Sequence, residues 1–169
     1  MTSAAPTPHP FTLAAKPREL TPLDPATVRL SVLIPVYNEL NTIETILDRV
    51  HATPMLKQII CVDDRSTDGT RERLVELHAA GYIDLLILQE QNGGKGKAIR
   101  TALAASTGEI VIVQDADLEY DPQDWPVLLD PIVAGKAYDA AQYLTTQAPA
   151  RLRLREQVDG AGIFTVTTR

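Results

Sequence analysis

The chain has 169 residues, of which 44% are hydrophobic, 22% charged and 5% aromatic, the length and make-up of one globular domain around one core. Acids outnumber bases 22 to 16, for a formal net charge of -6, which argues against a nucleic-acid backbone as partner. The single cysteine, Cys61, lies in the apolar run Ile59–Val62, cannot form an internal disulfide, and reads as a small buried hydrophobe. No apolar run approaches the ~18 residues of a membrane span, and no secretory start is visible, so the expectation is a soluble, cytoplasmic chain.

In chain order, six of the 12 prolines fall between Pro6 and Pro25, and their fixed φ and missing donors exclude helix or central strand. Residues 1–28 are therefore expected to form a disordered leader, with the domain starting near Val28. Four short Val/Ile-rich runs follow, Leu30–Val36, Lys57–Val62, Asp84–Gln89 and Glu109–Gln114. Their starts lie roughly 26 residues apart, the length of one strand-plus-helix unit. Helical stripes separate them. The first is Ile43, Ile46, Leu47 and Val50, with Asn41 and Glu44 as a capping box. The second is Leu74, Val75 and His78, opened by Asp68 and closed by Gly81. The third is Ala98, Ile99, Ala102 and Leu103, closed by Gly108. Near-continuous apolar strands require burial on both faces, so the fold class is α/β, an open parallel sheet with helices on both sides. A fourth helix carries Trp125, Leu128, Leu129 and Ile132, with a break expected at Pro131. After Gly135 the pattern dissolves, and residues 137–169 read as an atypical tail without a βα unit.

In open α/β sheets, ligands bind outside the carboxyl ends of the strands. Every unusual polar cluster falls there: Pro35–Glu39, Asp63–Gly69, Asn92–Lys97 and Asp115–Glu119 after runs one to four. In Asp115-Ala116-Asp117-Leu118-Glu119, extended backbone would turn three carboxylates to one side, a repulsive arrangement that a hard cation such as Mg²⁺ or Mn²⁺ relieves. Such a cation keeps positions open for substrate phosphates, which points to a diphosphate ligand. The plain alternative is a solvated acidic turn with Asp121 as a helix cap. Asp64 is equally consistent with capping and with accepting a hydrogen bond from a base or ribose. The Asn92–Gly96 turn lacks P-loop spacing, and no Gly-x-Gly-x-x-Gly follows the first run, so its glycines read as a turn. Lys95 and Lys97 at that helix start would favour an anion nearby. His9, His51 and His78 share no motif.

Together these segments, Ser31-Val32-Leu33-Ile34-Pro35-Val36-Tyr37-Asn38-Glu39, Val62-Asp63-Asp64-x-Ser66-Thr67-Asp68-Gly69-Thr70, Asn92-Gly93-Gly94-Lys95-Gly96 and Asp115–Pro122, resemble the family 2 glycosyltransferases of GT-A fold. Within that family the match is to the dolichol- or polyprenol-phosphate mannosyl- and glucosyltransferase branch, over residues 29–136. The resemblance implies a nucleotide-sugar-binding domain. Pro35, Tyr37 and Glu39 would line the base and ribose pocket, and Asp63 would contact the base, with Asp64 nearby. Asp115 and Asp117 would form the Asp-x-Asp pair, joined at Ala116 and backed by Glu119 as third ligand, holding Mg²⁺ or Mn²⁺ on the donor diphosphate. It also implies an inverting transfer from GDP-mannose or UDP-glucose to a polyprenyl phosphate, with the chain peripheral to the cytosolic membrane face. Two departures stand out. Arg65 replaces a usual Gly, and Ala137–Tyr143 lacks the family's Gly-Ser-Arg element, as if the domain were truncated after the fourth βα unit. The rival readings are an inactive nucleotide-sugar-binding fragment and a receiver domain. The receiver is excluded because its acidic pair follows the first strand, whereas here the pair follows the second.

Overall fold

A computed structural model describes residues 21–136 and two further strands, Leu152–Arg155 and Thr165–Thr168. The first four strands are β1 (Arg29–Val36), β2 (Leu56–Asp63), β3 (Leu85–Leu88) and β4 (Ile110–Val113). They alternate with α1 (Ile43–His51), α2 (Thr70–Ala79) and α3 (Lys95–Ala104), and α4 (Trp125–Val133) follows a 3-10 turn at Pro122–Asp124. The four strands form one parallel sheet in the order β3-β2-β1-β4. β5 (Leu152–Arg155) and β6 (Thr165–Thr168) pair antiparallel in a separate ribbon.

Strand alternation divides the core in two. Leu30, Val32, Ile34 and Val36 face one side with Ile59, Cys61, Ile110 and Ile112, where α1, α2 and α4 cover them. Leu33, Ile60, Val62 and Val113 face the other, under the Ala98, Ile99 and Ala102 stripe of α3. Three helices thus share one face and α3 has the other. Each fully buried aliphatic side chain contributes about 1.5–3 kcal/mol. Burial also pushes the Cys61 thiol far above its ordinary pKa, as expected of an inert core cysteine.

At the amino ends of the strands, the buried Ser31 hydroxyl donates to Gln58 Oε1 (2.9 Å) and accepts from the N–H groups of Thr107 (3.2 Å) and Gly108 (2.9 Å). A Cβ on Gly108 would lie 2.5 Å from the Arg29 carbonyl oxygen and 2.7 Å from the Ser31 nitrogen, so only glycine fits where the chain enters β4.

Several local expectations change. The body begins before Val28: the Leu23 N–H donates to the Val133 carbonyl (2.8 Å), and Leu23 and Val28 pack on the core. The remaining leader and the Ala137–Tyr143 segment lie outside the described residues. Asn41 builds no capping box. Thr42 is the N-cap of α1, and its hydroxyl turns back to Glu39 Oε2 (2.5 Å). In α2 the buried residues are Thr70, Leu74 and Leu77, while Val75 and His78 face solvent. The N-cap is Gly69, with Asp68 one residue earlier. α4 runs unbroken through Pro131, whose ring is buried. The carbonyl it strips of a partner belongs to Val127, on the exposed face, where water can replace the lost bond.

Candidate functional site

The strand order makes β1 the pivot: the chain steps from β1 to β2 to β3, then crosses on α3 to the other side of β1. Ligand crevices open at such a switch point, between the carboxyl ends of β1 and β4. Pro35 shows how the strands part. Leu33 presents its carbonyl to β4, accepting from the Gln114 N–H (2.9 Å), and Pro35 two residues on faces the same way without a donor. The β1–β4 register ends at Leu33↔Val113, while β1–β2 pairing continues to Val36↔Asp63. The resulting cleft, about 350 Å³, is lined by Pro35, Val36, Tyr37 and Glu39 from β1 and its loop, by Asp115, Ala116 and Asp117 after β4, and by Asp64, Asn92, Gly94, Lys95 and Ala98. A larger cavity of about 540 Å³ lies at the opposite ends of β1 and β4, but its walls, including Leu23, Leu30, Met55, Ile110 and Val133, are almost wholly apolar.

The loops after β1 and β2 are zipped together. Asn38, in the left-handed region at φ 57°, accepts the Thr67 N–H on its side-chain oxygen (2.8 Å) and gives its own N–H to Ser66 Oγ (2.9 Å). The Glu39 N–H donates to Thr70 Oγ1 (2.9 Å), whose hydroxyl donates to Asp68. Desolvation pushes Asp68 up, but bonds from the Thr70 hydroxyl and N–H and from the Leu40 N–H together hold it below the usual carboxylate value. Asp63 is fully buried. One oxygen accepts the Ser66 N–H (3.1 Å) and the other lies 3.2 Å from the Arg71 guanidinium without hydrogen-bond alignment. Arg65, which replaces the resembled glycine, adopts φ 70°, the region where glycine carries no steric cost, and donates to the Glu90 carbonyl (3.1 Å).

Asp64 governs the glycine turn. Its two oxygens accept the N–H groups of Gly93 (2.8 Å) and Gly94 (2.7 Å), the last residues before α3. The turn therefore hangs from the end of β2, and Lys95, the first residue of α3, is delivered into the cleft. Its Nζ donates to Asp115 Oδ2 at 2.6 Å. Asp64 thus caps neither helix: it holds the turn that precedes α3, and the same side chain lines the cleft.

Beyond β4 the chain is not extended. It bends through residues 116–120, with Leu118 at φ 64°. The i, i+2, i+4 alignment expected of Asp115, Asp117 and Glu119 is thus lost: Asp115 and Asp117 line the cleft and Glu119 does not. Among the described residues no three His, Cys, Asp or Glu side chains converge to hold a metal. The bend is shaped from below by Gln114, whose buried amide donates to the carbonyls of Asp115 (3.1 Å) and Tyr120 (3.0 Å) and accepts from Trp125 Nε1 (3.2 Å). Asp117 accepts the Glu119 N–H (3.1 Å). Asp115 keeps one buried oxygen, Oδ1, with no hydrogen-bond partner.

The cleft thus gathers Pro35, Tyr37, Glu39, Asp64, Asp115, Ala116 and Asp117 from the expected set, leaving Asp63 behind the wall and Glu119 outside it. Gln114 and Asn38 also shape the cleft, and their only signal in the sequence is an amide residue one or two positions past an apolar strand, where a side chain can satisfy the first unpaired loop groups.

Comparison with known proteins bears on the family and the fold. The chain is 36% identical over 118 residues to undecaprenyl-phosphate 4-deoxy-4-formamido-L-arabinose transferase of Yersinia pestis, a match covering 66% of this chain and 35% of that protein. It thus spans about a third of the length of this curated relative. Glucosyl-3-phosphoglycerate synthase from Mycobacterium tuberculosis, solved with Mn²⁺, UDP and glucosyl-3-phosphoglycerate, superposes with a TM-score of 0.53 at 31% identity, covering 66% of this chain and 42% of that one. The mannosyltransferase PcManGT from Pyrobaculum calidifontis, solved with GDP-Man and Mn²⁺, gives a TM-score of 0.53 at 34% identity, covering 65% and 33%. The GT-A-like architecture expected from the motifs is the one found. The family model described as glycosyl transferase family 2 matches residues 31–165, well past residue 136 where the motif resemblance stops, and the chain belongs to that family.

Proposed function

We propose that the cleft binds a nucleotide sugar of the GDP-mannose or UDP-glucose type and that the chain moves its sugar, with inversion, to a polyprenyl phosphate. The observation that carries the reading is the Asp115 carboxylate: buried, with one oxygen unpartnered, and facing a cleft it shares with Asp117. An orphan buried carboxylate oxygen is costly unless a cation or donor arrives, so the residues fit a divalent ion. Asp115 and Asp117 would hold Mg²⁺ or Mn²⁺, with Glu119 too far round the bend to line the cleft. When bound, the ion neutralises charge on the departing diphosphate. Only two carboxylates line the cleft at this end, so the remaining ligands would come from the diphosphate and water.

Pro35, the half-exposed Tyr37 and Glu39 form one wall, suited to a base and ribose. Asp63 supports that wall from behind through Ser66 and Arg71. The positive end of α3 and Lys95 lie where an anion would sit. The acceptor phosphate oxygen attacks the anomeric carbon, the bond to the diphosphate oxygen breaks with inversion, and the nucleoside diphosphate leaves. The acceptor is already an anion, so no general base is required. Its attacking oxygen must be held in line with the anomeric carbon. The named acceptor of the Yersinia relative supports the polyprenyl phosphate, and on that reading the chain works peripherally at the cytosolic membrane face. Among the described residues no helix is long and apolar enough to cross a membrane.

Calorimetry with GDP-mannose and UDP-glucose, with and without Mn²⁺, tests donor binding. Metal-dependent affinity on the order of 0.1–1 mM for one donor is expected. Metal-independent or absent binding overturns the reading. A radiolabelled-sugar assay with membranes then separates the transferase from the donor-binding fragment: lipid-linked product shows transfer, and binding without product shows the fragment.

A further inference from the structure

Lys95 already holds the position on Asp115 that a divalent cation would need. Its Nζ lies 2.6 Å from Asp115 Oδ2, while Oδ1 of the same carboxylate is buried and unpartnered. The Asp115 side chain is 11% exposed, so a bare carboxylate there would carry a desolvation cost that the ammonium relieves. The Lys95 side chain is 47% exposed, so it can withdraw into the open cleft without being buried elsewhere. Its backbone does not have to move, because Asp64 pins the preceding turn at both Gly93 and Gly94.

We infer that Lys95 is a built-in stand-in cation, neutralising Asp115 while the cleft is empty and ceding it when metal and diphosphate enter together. The inference rests on the metal reading of Asp115 and Asp117 proposed above. A cation arriving alone must break the Lys95–Asp115 pair and leave two positive charges side by side. A cation arriving with a diphosphate supplies new anionic oxygens for the displaced ammonium. Free metal therefore binds weakly, metal with nucleotide binds well, and the two ligands are coupled through one side chain. The same exchange keeps the site charge-balanced in both states, and the repulsion expected of clustered carboxylates is met without a resident ion.

The test measures Mn²⁺ binding by electron paramagnetic resonance, alone and with GDP or UDP, on the whole chain. Lys95→Met removes the ammonium at similar volume. It should tighten binding of Mn²⁺ alone by roughly three- to tenfold, the worth of a half-exposed charge-assisted pair, and shrink the enhancement by nucleoside diphosphate by a similar factor. Lys97→Met removes a charge from the same helix start and should leave both values within about twofold, since long-range screening leaves little of it. Unchanged or weaker binding of Mn²⁺ alone in Lys95→Met, or equal tightening in Lys97→Met, overturns the stand-in role. Asp115→Asn in the Lys95→Met background must abolish the gain. Mn²⁺ binding that survives that double change overturns the metal reading itself, and the stand-in role with it. Circular dichroism melting checks that each variant is folded, and Lys95→Arg, which keeps the charge, should bind Mn²⁺ as the parent does.

Discussion

The ends of β2 and β4 both carry paired acids, yet they use them in opposite ways. At the end of β2, Asp64 and Asp68 give both oxygens to the Gly93–Gly94 turn and to Thr70 with Leu40, and Asp63 gives one oxygen to Ser66 while the other, without a hydrogen bond, is ion-paired with Arg71. After β4, Asp115 meets one lysine and keeps one oxygen free, and Asp117 is exposed with a single local bond. The first group builds the walls of the cleft and the second faces its contents. Acid density in a sequence does not distinguish these jobs; the supply of nearby N–H donors does.

Substitution can break or sharpen this contrast. The largest effect is expected at Asp63→Ala, which strips a fully buried carboxylate from Ser66 and leaves Arg71 without its counter-ion: about 3 kcal/mol lost in urea unfolding. Asp64→Ala takes the side-chain acceptor from the Gly93 N–H and leaves the Gly94 N–H only the longer bond to Asn92 Oδ1 (3.2 Å), and should cost about 2 kcal/mol by the same measurement. At the β4 end the expected loss is in ligand rather than fold. Asp117→Asn keeps an oxygen for the Glu119 N–H, so unfolding stability should hold within about 0.5 kcal/mol or rise slightly, while Mn²⁺ affinity falls roughly tenfold or more. A variant as destabilised as Asp64→Ala, with Mn²⁺ binding intact, would erase the distinction.

Smaller effects refine it. Arg65→Gly should raise stability by about 0.5–1 kcal/mol, because relief of the left-handed strain at φ 70° outweighs the exposed bond to Glu90 and the extra unfolded-state freedom. A destabilised Arg65→Gly protein would show that the Glu90 tether matters more than the strain. The smallest expected effect is at Asp68. Its pKa is lower folded than unfolded, so its contribution is complete above the unfolded value of about 3.9 and is lost as pH falls through the folded one. Asp68→Asn should slightly lower stability at neutral pH, where that contribution is complete, and leave stability below the folded value nearly unchanged, so that the acid limb of the profile flattens. An unaltered acid limb would count against the Thr70 and Leu40 bonds.

Much of the fold was legible because it rests on period and run length. The four apolar runs became the four strands within two residues at each end, the α1 stripe is buried as read, and so is the α3 stripe except for Leu103, which is only partly buried. α2 was misread because its inward face includes Thr70, which hydroxyl bonding lets into the core, while the apolar Val75 is left in solvent. Pro131 misled because the cost of an internal proline depends on which carbonyl it orphans, and that carbonyl lies on the exposed face. In the site, the strand-end location was readable from sequence order alone. The Lys95–Asp115 pair was not, because it depends on a crossover that brings residues twenty positions apart onto one cleft wall.

Gly108 and Ser31, at the far end of the sheet, have a bearing on all of this. They set the register of β4 at the point where it joins β1, and a parallel strand transmits register without slack. Asp115 lies seven residues further along the chain, roughly 23 Å in extended backbone. Gly108 thus works as the zero mark of a ruler whose reading is taken at the cleft. A slip of one residue at that mark would bring Gln114 to the place of Asp115 and turn the carboxylate toward the opposite helical layer. Placement of the Asp115 carboxylate in the cleft is therefore enforced by a glycine at the opposite end of the same strand.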